Sequence, residues 1–559
     1  MQHVMKDPIV PPLIKEVQTL QKQAFAKRRK VANVETYREP TSTIAKLLDI
    51  LPTQMLCEKL ISIYFDTWES TFRVLHRPSF LDTLHAFWDL SLEDKIKLHG
   101  LVPQLVAILA VACSTTSGIL AGSISDSAWS NTACDSLNFW LFGLPRKDQN
   151  EMSTLQTSCL LVLAMQLNMY PPDKIWNATG SLVRSAMSMG LHIDPESLDL
   201  SRLQKEIRRR LWSTILEFDL QASQAVGMAP CVHVDTFTSE IPANLTDSDL
   251  RTVHNVPQRD SSVDIFTDIL SQHALASSLR LRLEVASLLG RTELQKQDIQ
   301  NLLRKRELIE EAIHNISSTL RIEQSTNKSE RSRRQFAYAQ VYMSLIRSLF
   351  SVSIFLTSDS SESVDEKQQQ NCLQCALLVL SIFDEVSSSG LSGDTGNTPK
   401  LGDIFLLLFW SDVYAAILTL SLEVKKSNIE SSSTVIGSYS SSASNRRFFA
   451  WPKTTIVRTA EVGIEALLQR PNRPAADLKN VLRLSFALQS AMTSSSLEEK
   501  VRRSKEGMLK VLDDYKRFFT ESDFTAAESN FELAFVRQFC IELFRTRLTA
   551  LIAILHKCF

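Results

Sequence analysis

The sequence predicts an all-α protein, and three observations support this fold class. Glycine supplies only 15 of 559 residues, well under the roughly 7% of average usage, although Rossmann folds, barrels and β-sandwiches need glycine at turns and phosphate loops. Apolar residues recur at helical spacing along most of the chain. The apolar content of 44% is ample for a sizeable core. We therefore expect a large multi-helix body with a short N-terminal tail and serine-rich mobile loops.

Charge and cysteine content limit the classes of function. Lysine and arginine (61) nearly balance aspartate and glutamate (62), so the whole molecule is not an electrostatic nucleic-acid binder. Nine scattered cysteines and the lack of a secretory leader predict a reducing compartment. Two apolar runs, residues 101–120 and 401–420, contain polar side chains and are interpreted as buried helices. We expect no membrane association.

Residues 1–50 are predicted to form a basic N-terminal tail. Apolar residues at helical spacing indicate a short amphipathic helix, and they are Leu13, Val17, Leu20 and Ala24. Four consecutive basic residues follow, namely Lys27, Arg28, Arg29 and Lys30. A basic run of this kind is typical of a solvated helix end, and the alternative is a nuclear import signal or an arm that contacts phosphates.

Residues 51–260 are predicted to form the next domain. Thr53 is positioned to cap a helix that reaches about Leu75. An apolar stripe at helical spacing indicates a buried face on this helix, made of Ile61, Phe65, Trp68 and Phe72. The helix is predicted to end before Pro78, because the residue before a proline avoids the helical region. Three further helices are predicted over residues 79–88, 101–113 and 129–142.

Three helices are predicted between residues 155 and 230. Gly190 can take the left-handed conformation that ends a helix, and Leu191 can pack back on the last turn. Ser201 and Gln204 form a capping box for the helix that follows. The apolar face of that helix is predicted to contain Ile207, Leu211, Ile215 and Leu216. A glycine and a proline, Gly227 and Pro230, are predicted to end it.

Arginines 208–210 are predicted to lie across the other side of this helix. Three neighbouring arginines can bind phosphates, or they can pair with carboxylates such as Glu206, Glu217 or Asp219. Glu206 and Arg210 have the favourable i, i+4 spacing. We favour structural ion pairing, with the indole of Trp212 packed beneath.

Residues 261–559 are predicted to continue the helical body. Helices are predicted over residues 265–290, 299–322, 336–356, 373–386, 404–424, 455–468, 478–492, 497–519 and 531–555. Three serine-rich segments, near residues 357–364, 387–399 and 427–445, contain few large apolar residues. They are predicted to be mobile surface loops or phosphoacceptor segments.

Several pieces of the chain share their order and spacing with a known family. The first pieces are Tyr64, Phe65, Asp66, His76, Arg77, Pro78 and Phe80. Four more pieces follow. They are a helix end made of Gly190, Leu191 and His192, a helix start made of Arg209, Arg210 and Trp212, the aspartate Asp219, and a turn that contains Gly227 and Pro230. Together these pieces, over about residues 50 to 250, resemble the fungal-specific transcription factor domain, the middle homology region of fungal zinc-cluster transcription factors.

The resemblance implies a nuclear regulator of transcription by RNA polymerase II, with a metabolic or biosynthetic gene set as its target. In this family, the region holds the factor inactive or responds to metabolites and partner proteins. The implied partners are DNA, reached through a missing module or a partner factor, the transcription machinery, a small-molecule effector, and a second subunit in a homo- or heterodimer. We take the signature residues themselves to be structural.

The chain departs from the family at its DNA-reading module. Members usually carry a six-cysteine binuclear zinc cluster near the N-terminus, but no cysteine precedes Cys57 here. We therefore expect no cofactor in this chain, and zinc only if an upstream zinc-cluster module exists. Two alternatives remain open: the protein acts through a partner zinc-cluster factor, or the sequence is a shortened product.

No catalytic motif is found in the sequence, and we predict that the protein is not an enzyme. Cys372 and Cys375 form a close pair, but no second pair follows at zinc spacing, so we interpret them as core residues of a helix. His76 and His192 are interpreted as helix-end histidines that hydrogen-bond to backbone. The remaining alternative is a helical enzyme with a buried site, which a cavity lined by paired titratable groups would favour.

Overall fold

A computed structural model gives the fold. It describes residues 43–116, 119–120, 126–144, 146–251, 267–316, 320, 328–358, 366–388, 401–433, 452–469 and 475–492, with a few further positions at 12–19 and 499–513. No strand occurs in these residues, which confirms the all-α prediction. The basic run 27–30 and the helix predicted over 531–555 lie outside them.

Eighteen α-helices are described. The first eleven are α1 (Thr43–Asp49), α2 (Gln54–Thr67), α3 (Arg77–Trp88), α4 (Leu92–Ile96), α5 (Leu101–Cys113), α6 (Asp126–Phe142), α7 (Arg146–Gln149), α8 (Met152–Leu167), α9 (Pro172–Ser188), α10 (Arg202–Val226) and α11 (Asp247–Arg251). The others are α12 (Leu270–Leu289), α13 (Lys296–His314), α14 (Lys328–Ser358), α15 (Glu366–Ser388), α16 (Leu401–Ser433), α17 (Lys453–Gln469) and α18 (Ala475–Met492).

Contacts divide the chain into two compact units. The central unit contains Val31–Val352 and Val386–Leu408, and the second unit contains Met1–Lys30, Ser353–Glu385 and Phe409–Phe559. The central unit continues across residue 260, where the sequence predicts a domain boundary. Helix α12 packs on α10, and their buried side chains form an ion pair across the predicted boundary.

Helix α5 forms the centre of the packing in the first part of the central unit. All thirteen of its residues are buried, and it contacts α2, α6 and α8. A helix that is apolar on every side is stable in water only when other elements enclose it. Its one amide side chain, Gln104, donates from Nε2 to Gln156 Oε1 on α8 at 2.9 Å, so burial leaves that donor satisfied.

The signals that bound α9 and α10 act as predicted. Gly190 has φ 75°, and the Leu191 N–H donates to Ala186 O at 3.0 Å, which closes the last turn of α9. The capping box of Ser201 and Gln204 is present at the start of α10. Gly227, with φ 71°, ends that helix after 25 residues.

Helix α2 is shorter than predicted. It ends at Thr67 rather than near Leu75, and Thr53 makes no side-chain capping bond. Beyond the helix, Glu69 accepts hydrogen bonds from Tyr64 Oη at 2.5 Å and from the Leu75 N–H at 2.9 Å. These bonds hold the segment in successive turns, a competition for backbone groups that apolar periodicity does not reveal.

The serine-rich segments begin inside helices. Helices α14, α15 and α16 continue to Ser358, Ser388 and Ser433, so the loop predicted from residue 427 is wrong for residues 427–433. Ser427 Oγ donates to the Glu423 carbonyl one turn earlier at 3.0 Å, which lets serine remain in the helix. The remaining parts of the three segments lie outside the described residues.

Two described helices are long and apolar enough to cross a membrane. In Arg333–Thr357 and Leu401–Asn428, 72% and 78% of the most apolar window is buried within the protein. Core helices of this kind are enclosed by protein rather than by lipid. The interpretation of residues 401–420 as a buried helix agrees with this burial.

In the second unit, α17 packs against α18. Asn428 of α16 also donates to the Ala491 carbonyl of α18 at 2.6 Å. Cys372 and Cys375 are buried on α15, as a helix-core pair would be, and burial raises the pKa of the Cys372 thiol to about 12. Among the described residues, no group of three histidine, cysteine or acidic side chains is arranged to hold a metal ion.

Candidate functional site

Several of the signature residues meet around one carboxylate, Asp247, at the start of α11. Its Oδ1 accepts hydrogen bonds from Arg73 Nη2 at 2.5 Å and from Arg210 Nη1 at 2.7 Å. Its Oδ2 accepts the Arg77 N–H at 3.3 Å. We call this group the Asp247 cluster, and its members are Arg73, His76, Glu206, Arg210 and Asp247.

Two opposing effects act on the pKa of the Asp247 carboxyl. Burial disfavours its charged form, but the guanidinium groups of Arg73 and Arg210 outweigh burial and hold its pKa below the ordinary range. Since the carboxylate is ionised at neutral pH, it neutralises part of the charge of two arginines whose side chains are 6% and 3% exposed.

His76 begins α3 and links the cluster to the first signature motif. Its Nδ1 accepts the Ser79 N–H at 3.4 Å and lies 2.7 Å from Ser79 Oγ, and its Nε2 lies 3.3 Å from the Asp247 carbonyl oxygen. With Nδ1 accepting, Nε2 carries the proton that it donates. The interpretation of His76 as a helix-end histidine is confirmed. The Asp247 carboxylate faces arginines rather than this imidazole, so no serine–histidine–acid triad forms here.

Arg210 and Glu206 connect α10 to the segment before α11. Arg210 Nη2 donates to the Leu245 carbonyl at 2.6 Å and its Nε lies 3.4 Å from Glu206 Oε1. Glu206 Oε1 also accepts the Ala243 N–H at 3.0 Å. The i, i+4 ion pair is confirmed. The prediction that Arg210 lies on the outer side of α10 is wrong. Its side chain is only 3% exposed, because α9 and α12 both pack on α10.

The other two arginines of the run have structural partners as well. Arg209 forms a two-pronged ion pair with Asp194, at 2.8 and 3.0 Å, and this hydrogen bonding lowers the pKa of Asp194 to about 2. Arg208 Nη1 donates to the Met189 carbonyl at 3.2 Å. Ion pairing is therefore the observed role of the run, but Glu217 and Asp219 are not its partners.

Glu217 pairs instead with Arg282 of α12. Arg282 Nη1 and Nη2 lie 3.1 and 2.9 Å from the two carboxylate oxygens of Glu217. The side chain of Arg282 is 1% exposed and that of Glu217 is 6% exposed. Burial opposes ionisation of Glu217, yet the charge and hydrogen bonds of Arg282 outweigh it, so the pKa is below the ordinary range. Arg282 was not predicted, since nothing in the sequence distinguishes it from a surface arginine.

His192 is held through its backbone rather than through its ring Nδ1. Its carbonyl accepts the N–H groups of Thr238 and Ser239 at 2.9 and 3.2 Å, while Nδ1 is buried without a hydrogen-bond partner in the described part of the chain. The interpretation that the His192 ring bonds to backbone is therefore not supported at Nδ1. The centroid of the ring lies 6.3 Å from that of Trp212, which also packs on Phe237.

Asp219 fixes the turn that follows α10. It is fully buried, and its Oδ2 accepts the Val232 N–H at 3.2 Å. Burial raises the pKa of this carboxyl to about 6. Gly227 and Pro230 therefore lie in a loop that is anchored at its far end by a side chain of the preceding helix.

Gly290, at the end of α12, leaves no room for a side chain against this turn. A Cβ there would lie 2.6 Å from Ala229 Cα and closer still to its nitrogen. Because backbone rather than a flexible side chain is in the way, we expect Gly290→Ala to destabilise the protein by about 2 kcal/mol. Thermal unfolding of the purified chain would measure this. Gly143→Ala is the matched control, because its Cβ would lie 3.6 Å from the nearest atom, and an equal loss there would contradict the steric explanation.

Glu69 is a fully buried acid beside the Asp247 cluster. Burial raises its pKa to about 8, although Arg73, the Tyr64 hydroxyl and the Leu75 N–H favour the charged form. An unfolded glutamate releases its proton near pH 4.3. Between these values the folded chain holds a proton that the unfolded chain has lost, so this group makes stability fall as pH rises.

We expect Glu69→Gln to flatten the pH dependence of stability between pH 5 and pH 8. The wild-type protein should lose up to about 1.4 kcal/mol per pH unit more than the variant over that window. Denaturant unfolding at pH 5.5, 6.5 and 7.5 would measure the difference. Glu58→Gln, on the exposed face of α2, is the control, and parallel curves for wild type and Glu69→Gln would refute the assignment.

Comparison with known proteins identifies the family. Residues 61–387, more than half of the chain, match the family described as fungal specific transcription factor domain. The chain belongs to this family. The match contains the Asp247 cluster, the Arg209–Asp194 pair and the Glu217–Arg282 pair, so the resemblance inferred from the sequence motifs is confirmed.

Curated relatives of this fungal transcription factor domain are themselves named transcription factors. Transcription factor asR3 of Sarocladium schorii is 29% identical over 281 residues, 50% of this chain and 32% of asR3. Transcription factor opdR of Penicillium oxalicum is 31% identical over 262 residues, 47% of this chain and 32% of opdR. The Fusarisetin A cluster transcription factor fsa6 of Fusarium sp. is 29% identical over 228 residues, 38% and 30% of the two chains. The matched part thus spans roughly a third of the first two relatives. No solved structure matches the chain.

Proposed function

We propose that this chain is the helical regulatory region of a nuclear transcription regulator that controls a biosynthetic gene set. The observation that carries the proposal is the family match over residues 61–387. The names of the relatives support the gene set, since one of them is the transcription factor of the Fusarisetin A cluster. In this proposal the chain performs no catalysis, and its output is the rate at which RNA polymerase II transcribes the target genes.

The proposed mechanism is a change in the population of two states of the central unit. A ligand or partner that binds one state better shifts the equilibrium by its difference in affinity. The Asp247 cluster is suited to hold one state together, because the carboxylate on α11 accepts hydrogen bonds from Arg210 of α10, from Arg73 and from the first backbone N–H of α3. Variants that weaken it should alter the transcriptional response before they abolish the fold.

Deletion of the gene in its native host, followed by sequencing of all transcripts, tests the proposal. We expect a co-regulated set of neighbouring biosynthetic genes to change several-fold, and an epitope-tagged copy to occupy their promoters. A fluorescent fusion should accumulate in the nucleus. An unchanged set of transcripts would defeat the proposal.

Promoter contact can be made by this protein or by a partner zinc-cluster factor, and a gel-shift experiment separates the two. Purified chain is titrated onto promoter DNA at low salt, alone and with the proteins that co-purify with it. Sequence-selective binding by the chain alone would exclude the partner mechanism. Binding that appears only with a co-purified zinc-cluster protein would establish it.

A further inference from the structure

Among the described residues, the four most exposed large apolar side chains belong to neighbouring helices of the central unit. Phe142 is 92% exposed, Met55 75%, Leu92 64% and Phe139 58%. They lie on α6, α2 and α4. Helix α1 packs on both α4 and α6 and leads into α2 through residues 50–53. Large apolar side chains that gather in one region, rather than being scattered singly, mark a site of contact with another molecule.

Phe142, at the end of α6, is the most exposed of the four. Phe139 precedes it by three residues, so the two rings lie on the same side of the helix. The Lys46 ammonium nitrogen of α1 lies 5.2 Å from the centre of the Phe139 ring, and Lys46 has no acidic partner in the described part of the chain. We call Lys46, Phe139 and Phe142 the α6 knob. It offers aromatic rings accompanied by an unpaired cation.

Helices α2 and α3 form a groove in the same unit. Its floor is apolar and contains Ile61, Phe65, Leu81, Leu84 and Trp88. The groove has a volume of about 130 Å³, and an engineered protein cavity of about 150 Å³ holds a benzene ring. Pockets for drug-sized molecules begin at about 300 Å³. The α2–α3 groove is therefore suited to one phenyl side chain rather than to a whole metabolite.

The rim of the groove contains a carboxylate without an ion-pair partner. Glu58 accepts a hydrogen bond from the neutral amide of Gln54 at 2.9 Å, and no cation pairs with it in the part of the chain that the structure describes. Arg77 also lines the groove, but Asp66 pairs with it at 3.1 Å, so these two charges neutralise each other. His85 completes the charged or titratable rim. The groove therefore favours an apolar side chain that is accompanied by a cation.

We propose that the α2–α3 groove binds Phe142 of a second copy of this chain, in a dimer with two-fold symmetry. The phenyl ring matches the volume of the groove, and Lys46 of the knob is complementary in charge to Glu58 of the rim. In a two-fold dimer one surface patch meets its own copy, so each subunit inserts Phe142 into the groove of the other.

Two-fold pairing requires that knob and groove belong to one region of the surface. Helix α1 satisfies this requirement, because it packs on α6, which carries Phe142, and leads directly into α2, which forms one side of the groove. The dimer follows from the shape and charge of this region and does not rest on the proposed function. Its failure would leave the transcript and promoter measurements unaffected.

Sedimentation equilibrium of the full chain measures the dissociation constant of the dimer. Phe142→Ala removes the inserted ring, and we expect it to raise this constant at least about tenfold. Because Phe142 is almost fully exposed within one chain, the variant should keep its fold, which thermal unfolding verifies. Leu308→Ala, at a 42% exposed position on α13, is the matched control and should leave the dimer intact. A wild-type chain that stays monomeric at its highest soluble concentration would overturn the proposal.

Charge reversal tests which surfaces meet. Lys46→Glu and Glu58→Lys each place like charges opposite one another, and we expect either variant alone to raise the dissociation constant several-fold. The double variant Lys46→Glu/Glu58→Lys restores opposite charges across the interface and should return the constant close to the wild-type value. Additive weakening in the double variant would refute the pairing of Lys46 with Glu58.

A filled groove provides an independent variant. Ser62 is exposed and lines the groove, so Ser62→Trp places an indole where the partner's ring would bind. We expect it to weaken the dimer as much as Phe142→Ala, and the two changes together should weaken it little further. A dimer that persists in both single variants, or a monomeric chain whose groove is occupied by a different protein, would refute self-association through this groove.

Discussion

Replacement of Arg282 by methionine is expected to lower the free energy of unfolding by about 3–5 kcal/mol. Methionine keeps most of the apolar volume but leaves the buried carboxylate of Glu217 without its partner on α12. Removal of one member of a buried ion pair costs more than the pair contributes, because the other charge stays desolvated. Arg282 also donates to the Leu275 carbonyl at 2.8 Å, and this acceptor would lose its partner as well.

Denaturant unfolding of the purified chain, followed by tryptophan fluorescence, measures this loss. Arg291→Met is the matched control, because Arg291 is 54% exposed and its pair with Asp298 lies at the surface, where such pairs contribute at most about 1 kcal/mol. The double variant Arg282→Met/Glu217→Leu should recover most of the loss. A loss that persists in the double variant would show that packing rather than the unpaired charge is responsible.

Asp247→Asn is expected to cost about 3–4 kcal/mol, because two buried arginines lose the carboxylate that neutralises them. The asparagine side chain keeps the shape and removes the charge, and Glu206 remains beside Arg210. The loss should be largest near neutral pH. Since the pKa of Asp247 is depressed in the folded chain, its contribution is present above the ordinary pKa of an aspartate and disappears as pH falls through the folded value.

Unfolding curves of the wild type and Asp247→Asn at pH 7 and at pH 3 test both parts of this expectation. Asp235→Asn is the control, since that side chain is 83% exposed and its removal should change stability by less than about 0.5 kcal/mol. An equal difference between wild type and Asp247→Asn at both pH values would contradict the electrostatic explanation.

Local signals in the sequence were sufficient to locate the ends of α9 and α10. Gly190, Gly227 and the Ser201–Gln204 box act within one turn of the chain, so their residue types determine the backbone conformation. The i, i+4 pair of Glu206 and Arg210 was predicted for the same reason. These features can be predicted without knowing which distant residues pack against them.

The partners of the buried charges could not be predicted, because they lie far apart in the sequence. Arg73 and Asp247 are separated by 174 residues, and Arg282 and Glu217 by 65. No periodicity relates such positions, and Asp247 itself falls in an acidic stretch that is typical of a linker. The apolar stripe does not predict the early end of α2 for a related reason. Glu69 accepts hydrogen bonds from the Tyr64 hydroxyl and the Leu75 N–H, and the spacing of apolar residues carries no information about these bonds.

The order of these long-range pairs along the chain has a genetic consequence. Glu217 is translated before its partner Arg282, and Arg210 is translated before Asp247, one of its two acidic partners. A premature stop codon between residues 227 and 246 would remove Arg282 and Asp247, so Glu217 would lose its arginine partner and Arg210 would keep Glu206 alone as an acidic partner. We therefore expect nonsense alleles in this interval to yield rapidly degraded protein and a complete loss-of-function phenotype, with no partial activity from the shortened product.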